Sequence, residues 1–191
     1  MASYEKIRVF IAVDIEDPLI LSRLERFKEA LLATGVPMKP VETQNIHLTL
    51  RFIGEIPRWR VEEIEKSVLS TIRGEPFRVV LKGVGAFPTP SRPRVIWVGV
   101  EEGAEELKKY RDTIEEGLRK LGLPPERQSF VPHITLARIK GSRNIHALTR
   151  LIHEYGDYEF GSFTVEAIRL KKSTLTRHGP IYETLWEARL A

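Results

Sequence analysis

Hydrophobic and polar positions along this chain follow two spacings, one typical of β-strands and one of amphipathic helices. Residues 7–15 are rich in β-branched and aromatic side chains and predict a largely buried strand. After Asp17 and Pro18, an N-cap residue and a first-turn proline, apolar side chains recur at helical spacing until Gly35, which predicts a helix. The chain therefore starts with a strand followed by a helix.

The same two spacings organise the rest of the chain. Further strands are predicted near residues 38–41, 46–56, 76–87, 95–100, 130–139, 157–166, 167–175 and 181–189. Further helices are predicted over residues 57–74 and 103–121, with a shorter one after Ser142 or Asn144. The proline-rich run 88–93 predicts a stiff loop. Because strands and helices are interspersed and strand pairs dominate late in the chain, the expected class is α+β.

Two of the predicted strands carry nearly the same four residues, His47-Leu48-Thr49-Leu50 and His133-Ile134-Thr135-Leu136. Side chains of a strand alternate between its two faces, so the His and the Thr of each motif share one face and the apolar residues share the other. A helix is predicted after each motif. This internal echo predicts two related lobes within one domain over residues 1–191, each lobe with one motif.

Two imidazoles and two hydroxyls suit phosphoester cleavage. Imidazole has an ordinary pKa near 6.5, so one His accepts a proton in its neutral form while the other donates one in its protonated form. The Thr hydroxyls donate hydrogen bonds to phosphate oxygens. The symmetry of the motifs leaves open which of His47 and His133 is the acid.

Composition narrows the class of protein. The chain has 191 residues, 30 basic and 26 acidic, with a net charge of +4 and no cysteine. Without cysteine there are no disulfides and no thiolate chemistry. No window is apolar enough for a membrane span, and residues 1–6 have no signal-peptide pattern, so we expect a cytoplasmic protein. No glycine-rich loop typical of nucleoside triphosphate sites occurs, and we expect no cofactor and no metal.

At the two motifs the sequence resembles the 2H phosphoesterases, a family named for paired H-x-T-x motifs, and within it the RNA 2′,3′-cyclic phosphodiesterases, historically called 2′-5′ RNA ligases. The resemblance covers essentially the whole chain. Its matching segments are residues 8–12, 45–54, 93–97, 132–138 and 175–182.

The resemblance implies a bilobal, pseudo-symmetric fold in which two antiparallel sheets line a central basic groove, with helices outside. It implies metal-free hydrolysis of RNA 2′,3′-cyclic phosphate ends, such as those of tRNA fragments, to 2′-phosphate ends. By this resemblance His47 is the proton donor and His133 the proton acceptor, with Thr49 and Thr135 beside them. We expect a monomer. The alternative is a physiological 2′-5′ RNA ligase or tRNA-processing factor that uses the same groove.

Four further residues are candidate substrate contacts with open alternatives. Arg51 alternates onto the face of His47 and Thr49, and the alternative is a simple pairing with a surface carboxylate. Arg138 alternates onto the opposite face from His133, so it reaches substrate only if a bulge re-aims it or at the strand end. Phe52 and Tyr182 are candidates for stacking on a base, and a core position is the alternative.

Overall fold

The computed structural model describes residues 5–191, which form nine β-strands and four α-helices; the expectation about the first residues of the chain lies largely outside this range. The strands are β1 (Lys6–Asp14), β2 (Met38–Pro40), β3 (His47–Pro57), β4 (Phe77–Thr89), β5 (Arg92–Val100), β6 (His133–Ile139), β7 (Glu159–Val165), β8 (Ala167–Thr176) and β9 (Gly179–Arg189). The helices are α1 (Pro18–Ala33), α2 (Arg58–Ser67), α3 (Ala104–Lys120) and α4 (Ile145–Glu154).

The strands pair antiparallel in the order β7-β4-β5-β6-β3-β1-β8-β9, and β2 adds to β6. This confirms the α+β class and the antiparallel pairing. The two expected sheets are joined into one curled half-barrel through a single residue pair, Leu48 of β3 with Ile134 of β6. Both side chains are fully buried, so the junction belongs to the hydrophobic core on the helix side of the sheet. The opposite, concave face of the curled sheet, called the groove below, carries the half-buried side chains of His47, Thr49, His133 and Thr135.

Helices α1 and α3 each pack on the half of the sheet that does not contain the strand before them, whereas α2 and α4 pack on their own halves. Helix α1 packs on β7 and β6, and Arg23 donates a 2.8 Å hydrogen bond to the carbonyl of Phe160 on β7. Helix α3 packs on β3 of the other half, where its Glu115 pairs with Arg51. Burial of the apolar faces of these helices against the sheet forms one continuous core. The helices therefore occupy the convex face and leave the concave face free for polar residues.

Two element boundaries differ from the sequence prediction. The helix expected to run to Gly74 ends at Ser67, and a 3₁₀ turn, Leu69–Thr71, follows. The hydroxyls of Ser70 and Thr71 donate to nearby carbonyls, which competes with helix continuation. The loop expected over 88–93 was also wrong, because β4 and β5 extend into it and only Pro90 and Ser91 form the turn. No helix within residues 5–191 has both the length and the apolar character needed to cross a bilayer.

Candidate active site

The two H-x-T-x motifs meet at the junction between the halves of the sheet. Strands β3 and β6 run antiparallel around the Leu48–Ile134 pair. One residue further along each strand, this register sets His47 beside Thr135 and Thr49 beside His133 on the concave face. A local two-fold axis through the junction relates the two motifs, so their His and Thr side chains lie next to one another on the same face of the sheet.

A β-bulge follows each motif at an equivalent position. On β3, Thr49 and Arg51 pair with consecutive residues of β1, which leaves Leu50 as the extra residue. On β6, Thr135 and Ala137 pair with consecutive residues of β5, which leaves Leu136 as the extra residue. A bulge inserts one residue and so reverses the alternation of faces beyond it. The residues after each motif therefore point the opposite way from the strict alternation assumed in the sequence.

The bulge turns Arg51 away from the groove, so its predicted place on the face of His47 is wrong. Its guanidinium is buried, pairs with Glu115 of α3, and donates to the carbonyls of Phe52 and Pro124. Burial alone would raise the pKa of Glu115, but the hydrogen bond and charge of Arg51 hold that pKa below its ordinary value. Arg51 thus fastens α3 to β3.

The second bulge has the opposite consequence for Arg138, which turns onto the concave face. Arg138 is exposed, and its charge reaches Tyr182 across the groove. Burial raises the pKa of the Tyr182 phenol, while the charges of Arg138 and Arg8 oppose that rise. Two guanidinium groups therefore face the same side of the groove as Tyr182.

Phe52 also turns onto the concave face, where it is 42% exposed and lies 4.7 Å beneath the guanidinium of Arg8. Arg8 was not among the predicted site residues. The sequence contained the information needed to place it. Arg8, Phe10 and Asp14 are spaced by even numbers of residues along β1 and therefore share one face. Phe52 and Arg138 lie on the concave face because of the bulges, and Tyr182 and Arg8 lie beside them.

Each catalytic candidate histidine is fixed in one tautomer by the chain just before it. Nδ1 of His47 lies 2.7 Å from the carbonyl of Asn45, and Nδ1 of His133 lies 2.6 Å from the carbonyl of Val131. A carbonyl only accepts, so Nδ1 carries a proton in both rings and Nε2 is the nitrogen that gains or loses one. Nε2 of His47 lies 3.0 Å from Oγ1 of Thr49, which donates to it when the ring is neutral.

The loop that holds His47 also holds Tyr182. The buried Asn45 side chain donates a 3.0 Å hydrogen bond to the carbonyl of Pro180, two residues before Tyr182. The rings of His47 and Tyr182 then meet edge to face with centroids 5.3 Å apart, and Phe10 lies 5.0 Å from each. Such contacts restrict the rotation of the imidazole.

On the other half, two aromatic rings flank His133. Phe87 meets the imidazole edge to face with centroids 5.1 Å apart, and Trp97 lies 6.3 Å away. A Cβ added to Gly85 would lie 2.3 Å from the Trp97 ring, so the indole covers the bare backbone of this glycine. The Trp97 Nε1 is buried without a hydrogen-bond partner among the described residues.

Burial lowers the pKa of both histidines below the ordinary 6.5. For His47 the hydrogen bond to Asn45 and the carboxylate of Asp14 oppose this effect, whereas Lys171 and His133 add to it. For His133 only the hydrogen bond to Val131 opposes it. The two imidazoles are thus close enough for the charge of one to act on the other, and each is surrounded differently.

Asp14 belongs to a partly buried charge network beside His47. Its Oδ2 accepts from Nζ of Lys171 at 2.8 Å and from Nη1 of Arg169 at 2.9 Å. Lys171 is 8% exposed and also donates to Thr184. In the part of the chain that the structure describes, no cluster of three His, Asp or Glu side chains is arranged to hold a metal ion.

Comparisons of sequence agree with this architecture. The family model described as "AKAP7 2'5' RNA ligase-like domain" matches residues 9–190. A relative from Aeropyrum pernix, named RNA 2′,3′-cyclic phosphodiesterase, is 54% identical over 172 residues, which covers 90% of this chain and 97% of the relative. A relative of the same name from Methanothermobacter thermautotrophicus is 39% identical over 186 residues, covering 97% of this chain and 100% of the relative.

Solved structures have the same fold. TT0787 of Thermus thermophilus superposes with a TM-score of 0.79 at 29% identity, covering 95% of this chain and 97% of its own. LigT of Escherichia coli in complex with 3′-AMP superposes with a TM-score of 0.77 at 23% identity, covering 98% and 99% of the two chains, and at that identity it supports the fold alone. The chain belongs to the 2H phosphoesterase family, among the RNA 2′,3′-cyclic phosphodiesterases, and is a hydrolase.

Proposed function

We propose that this enzyme hydrolyses 2′,3′-cyclic phosphate ends of RNA to 2′-phosphate ends without a metal, with His47 as the proton donor and His133 as the proton acceptor. The observation that carries the proposal is the matched pair of tautomers. Both histidines donate through Nδ1 to a carbonyl two residues earlier, so Nε2 is the exchangeable nitrogen of each. A phosphate between the two motifs would have an acid on one side and a base on the other.

In the proposed step, Nε2 of neutral His133 takes a proton from water as the water oxygen bonds to phosphorus. The bond from phosphorus to the 3′-oxygen breaks, and protonated Nε2 of His47 gives its proton to that oxygen. The products are a 3′-hydroxyl and a 2′-phosphate, and the two imidazoles end with exchanged protonation states. Each proton transfer by a positioned side chain typically contributes about 10²–10⁴-fold.

The remaining groove residues have separate roles in this proposal. The hydroxyls of Thr49 and Thr135 donate to the non-bridging phosphate oxygens, whose charge increases in the transition state. Arg138 binds a phosphate of the RNA, and Phe52 and Tyr182 stack on bases. Arg51 is left out, because its guanidinium is already bound to Glu115 and to two carbonyls.

The proposal extends to the state of the protein in the cell. Both motifs lie on one chain, so a monomer contains a complete site, and size-exclusion chromatography with light scattering tests this. We take the substrate to be RNA in the cytoplasm. Comparison of kcat/KM between cyclic-ended RNA oligomers and 2′,3′-cyclic mononucleotides distinguishes an RNA enzyme from one that acts on small nucleotides.

The deciding experiment is hydrolysis of cyclic-ended RNA in excess EDTA. We expect a 2′-phosphate product, identified by ³¹P NMR, with the same rate with and without the chelator. His47→Ala and His133→Ala should each abolish most of the activity, whereas His146→Ala, which removes an exposed histidine of α4, should not. Loss of activity with EDTA, a 3′-phosphate product, or full activity of either groove variant would contradict the proposal.

A further inference from the structure

The two halves of the groove differ most at the positions beside the histidines. On one half, Asp14 of β1 pairs in register with His47, and on the other half Gly99 of β5 pairs in register with His133. The local two-fold axis therefore relates a carboxylate to a glycine. Only His47 has an acidic side chain at this position.

The strands one place further out differ in the same way. Lys171 and Arg169 of β8 pair in register with Phe10 and Ala12 of β1. At the related positions of β4, Phe87 and Gly85 pair with Val95 and Trp97 of β5. Aromatic rings flank the histidine on both halves, but only the half of His47 carries a charged network on the groove floor.

The contacts of the Asp14 carboxylate hold it in one position, unlike those of a mobile ion pair on the surface. The Asp14 side chain is 19% exposed, and two cations hold its Oδ2 at 2.8 and 2.9 Å. Glu16 and Glu187 hold Arg169 from the other side. A carboxylate restrained in this way stays at a constant distance from His47, its neighbour on β3. Because the site is partly buried, solvent screens its charge only weakly.

We propose that Asp14 is a positioning residue that makes His47 the proton donor of the pair, with Lys171 limiting its effect. This inference rests on the proposed function, because it explains how two equivalent motifs take different roles. Asp14 does not touch the imidazole, whose Nδ1 is bound to Asn45. It acts through its charge, which opposes the lowering of the His47 pKa that burial causes.

Several charged or titratable groups around His47 raise or lower its pKa. Asp14 on β1 favours the imidazolium, whereas Lys171 on β8 and His133 on β6 disfavour it. Tyr182 on β9 contacts the ring and is neutral below its raised pKa. Arg8 and Arg138, which act on Tyr182, are further cations on this side. A bound phosphate anion would add to the effect of Asp14, so the protonated fraction of His47 is highest when substrate is bound.

The test compares Asp14→Asn with Lys171→Met, which remove opposite charges from one ion pair. In kcat/KM against pH, the high-pH limb reports the proton donor and the low-pH limb the acceptor. We expect Asp14→Asn to move the high-pH limb down by about half a unit or more, and Lys171→Met to move it up. The low-pH limb should stay in place in both. Glu183→Gln, which removes an exposed carboxylate paired with Lys172 on the same hairpin, should move neither limb.

The imidazole titrations of His47 and His133, followed by NMR, give the same answer without any substrate. Opposite shifts for His47 in the two variants, with His133 unmoved, support the proposal even if the RNA assay fails, which separates this inference from the proposed function. Shifts of the same sign, no shift, or equal shifts of both histidines would overturn it. Structural damage alone would not produce shifts of opposite sign. If Lys171→Met does not fold, Lys171→Gln provides the same comparison.

Discussion

The two halves of the groove have the same backbone plan and differ in the charged side chains beside their histidines. Each supplies an H-x-T strand, a bulge after the motif, and a histidine held by the carbonyl two residues earlier. Around His133 the flanking groups are Phe87 and Trp97, and around His47 they include the carboxylate of Asp14. In the proposed mechanism the shared plan lets both histidines reach one phosphate, and the difference decides which of them donates the proton.

The largest expected effect comes from removing either imidazole. His47→Ala and His133→Ala should each lower kcat by about 10²–10⁴-fold, because each removes one proton transfer. The double variant should be little worse than the more damaged single variant, since residues that act as one unit are not additive. Single-turnover rates on cyclic-ended RNA measure this, and independent, multiplying losses would contradict a paired mechanism.

The two arginines that follow the motifs test the bulges. Arg138→Met should raise KM by about tenfold or more, because it removes a charged contact to phosphate, and leave stability unchanged. Arg51→Met should instead lower the free energy of unfolding by about 2–3 kcal/mol, because Glu115 then loses its partner in a half-buried place. Urea denaturation and steady-state kinetics on both variants separate the roles. A reversed pattern would mean that the bulges do not re-aim these side chains.

A substitution at Gly85 perturbs the surroundings of His133 without changing those of His47. Gly85→Ala would place a Cβ 2.3 Å from the indole of Trp97, so the ring must move, and with it one contact of His133. We expect a loss of about tenfold in kcat with a shift of the low-pH limb alone. The pH profile of kcat/KM checks this. A shift of the high-pH limb instead would indicate that His133, and not His47, is the proton donor.

The smallest effects are expected from the two threonines. Thr49→Val and Thr135→Val should each lower kcat by several-fold to about tenfold through loss of a donor to phosphate. Thr49→Val should also move the titration of His47, since Thr49 is bonded to its Nε2, whereas Thr135→Val should leave it unchanged. NMR titration of His47 in both variants measures this difference, and identical titrations would argue against the Thr49 contact.

Much of this architecture was predictable from local rules. The alternation within His47-Leu48-Thr49 and His133-Ile134-Thr135 placed each His and Thr on one face, and the structure agrees because these residues precede the bulges. Arg51 and Arg138 lie beyond the bulges. The inserted residues, Leu50 and Leu136, are ordinary buried leucines, so nothing in the sequence marks them as the positions of bulges. Bulge positions depend on pairing with β1 and β5, which sequence spacing does not contain.

The asymmetry between the histidines was hidden for a similar reason. Asp14 lies 33 places before His47 in the chain and meets it only through the register of β1 with β3. Lys171 reaches the same carboxylate from the far end of the chain. The motifs themselves are alike, so the proposed distinction between acid and base depends on long-range strand pairing that sequence spacing does not contain.

The most direct test of the central claim is the pH dependence of kcat/KM for the unmodified enzyme on cyclic-ended RNA in EDTA. One acid and one base predict a bell-shaped profile. Because burial lowers the pKa of both free imidazoles below 6.5, both limbs should lie on the acid side of that value, and the limbs of kcat should lie higher because bound phosphate stabilises imidazolium. A single sigmoid, or a profile lost with the chelator, would contradict paired-histidine catalysis.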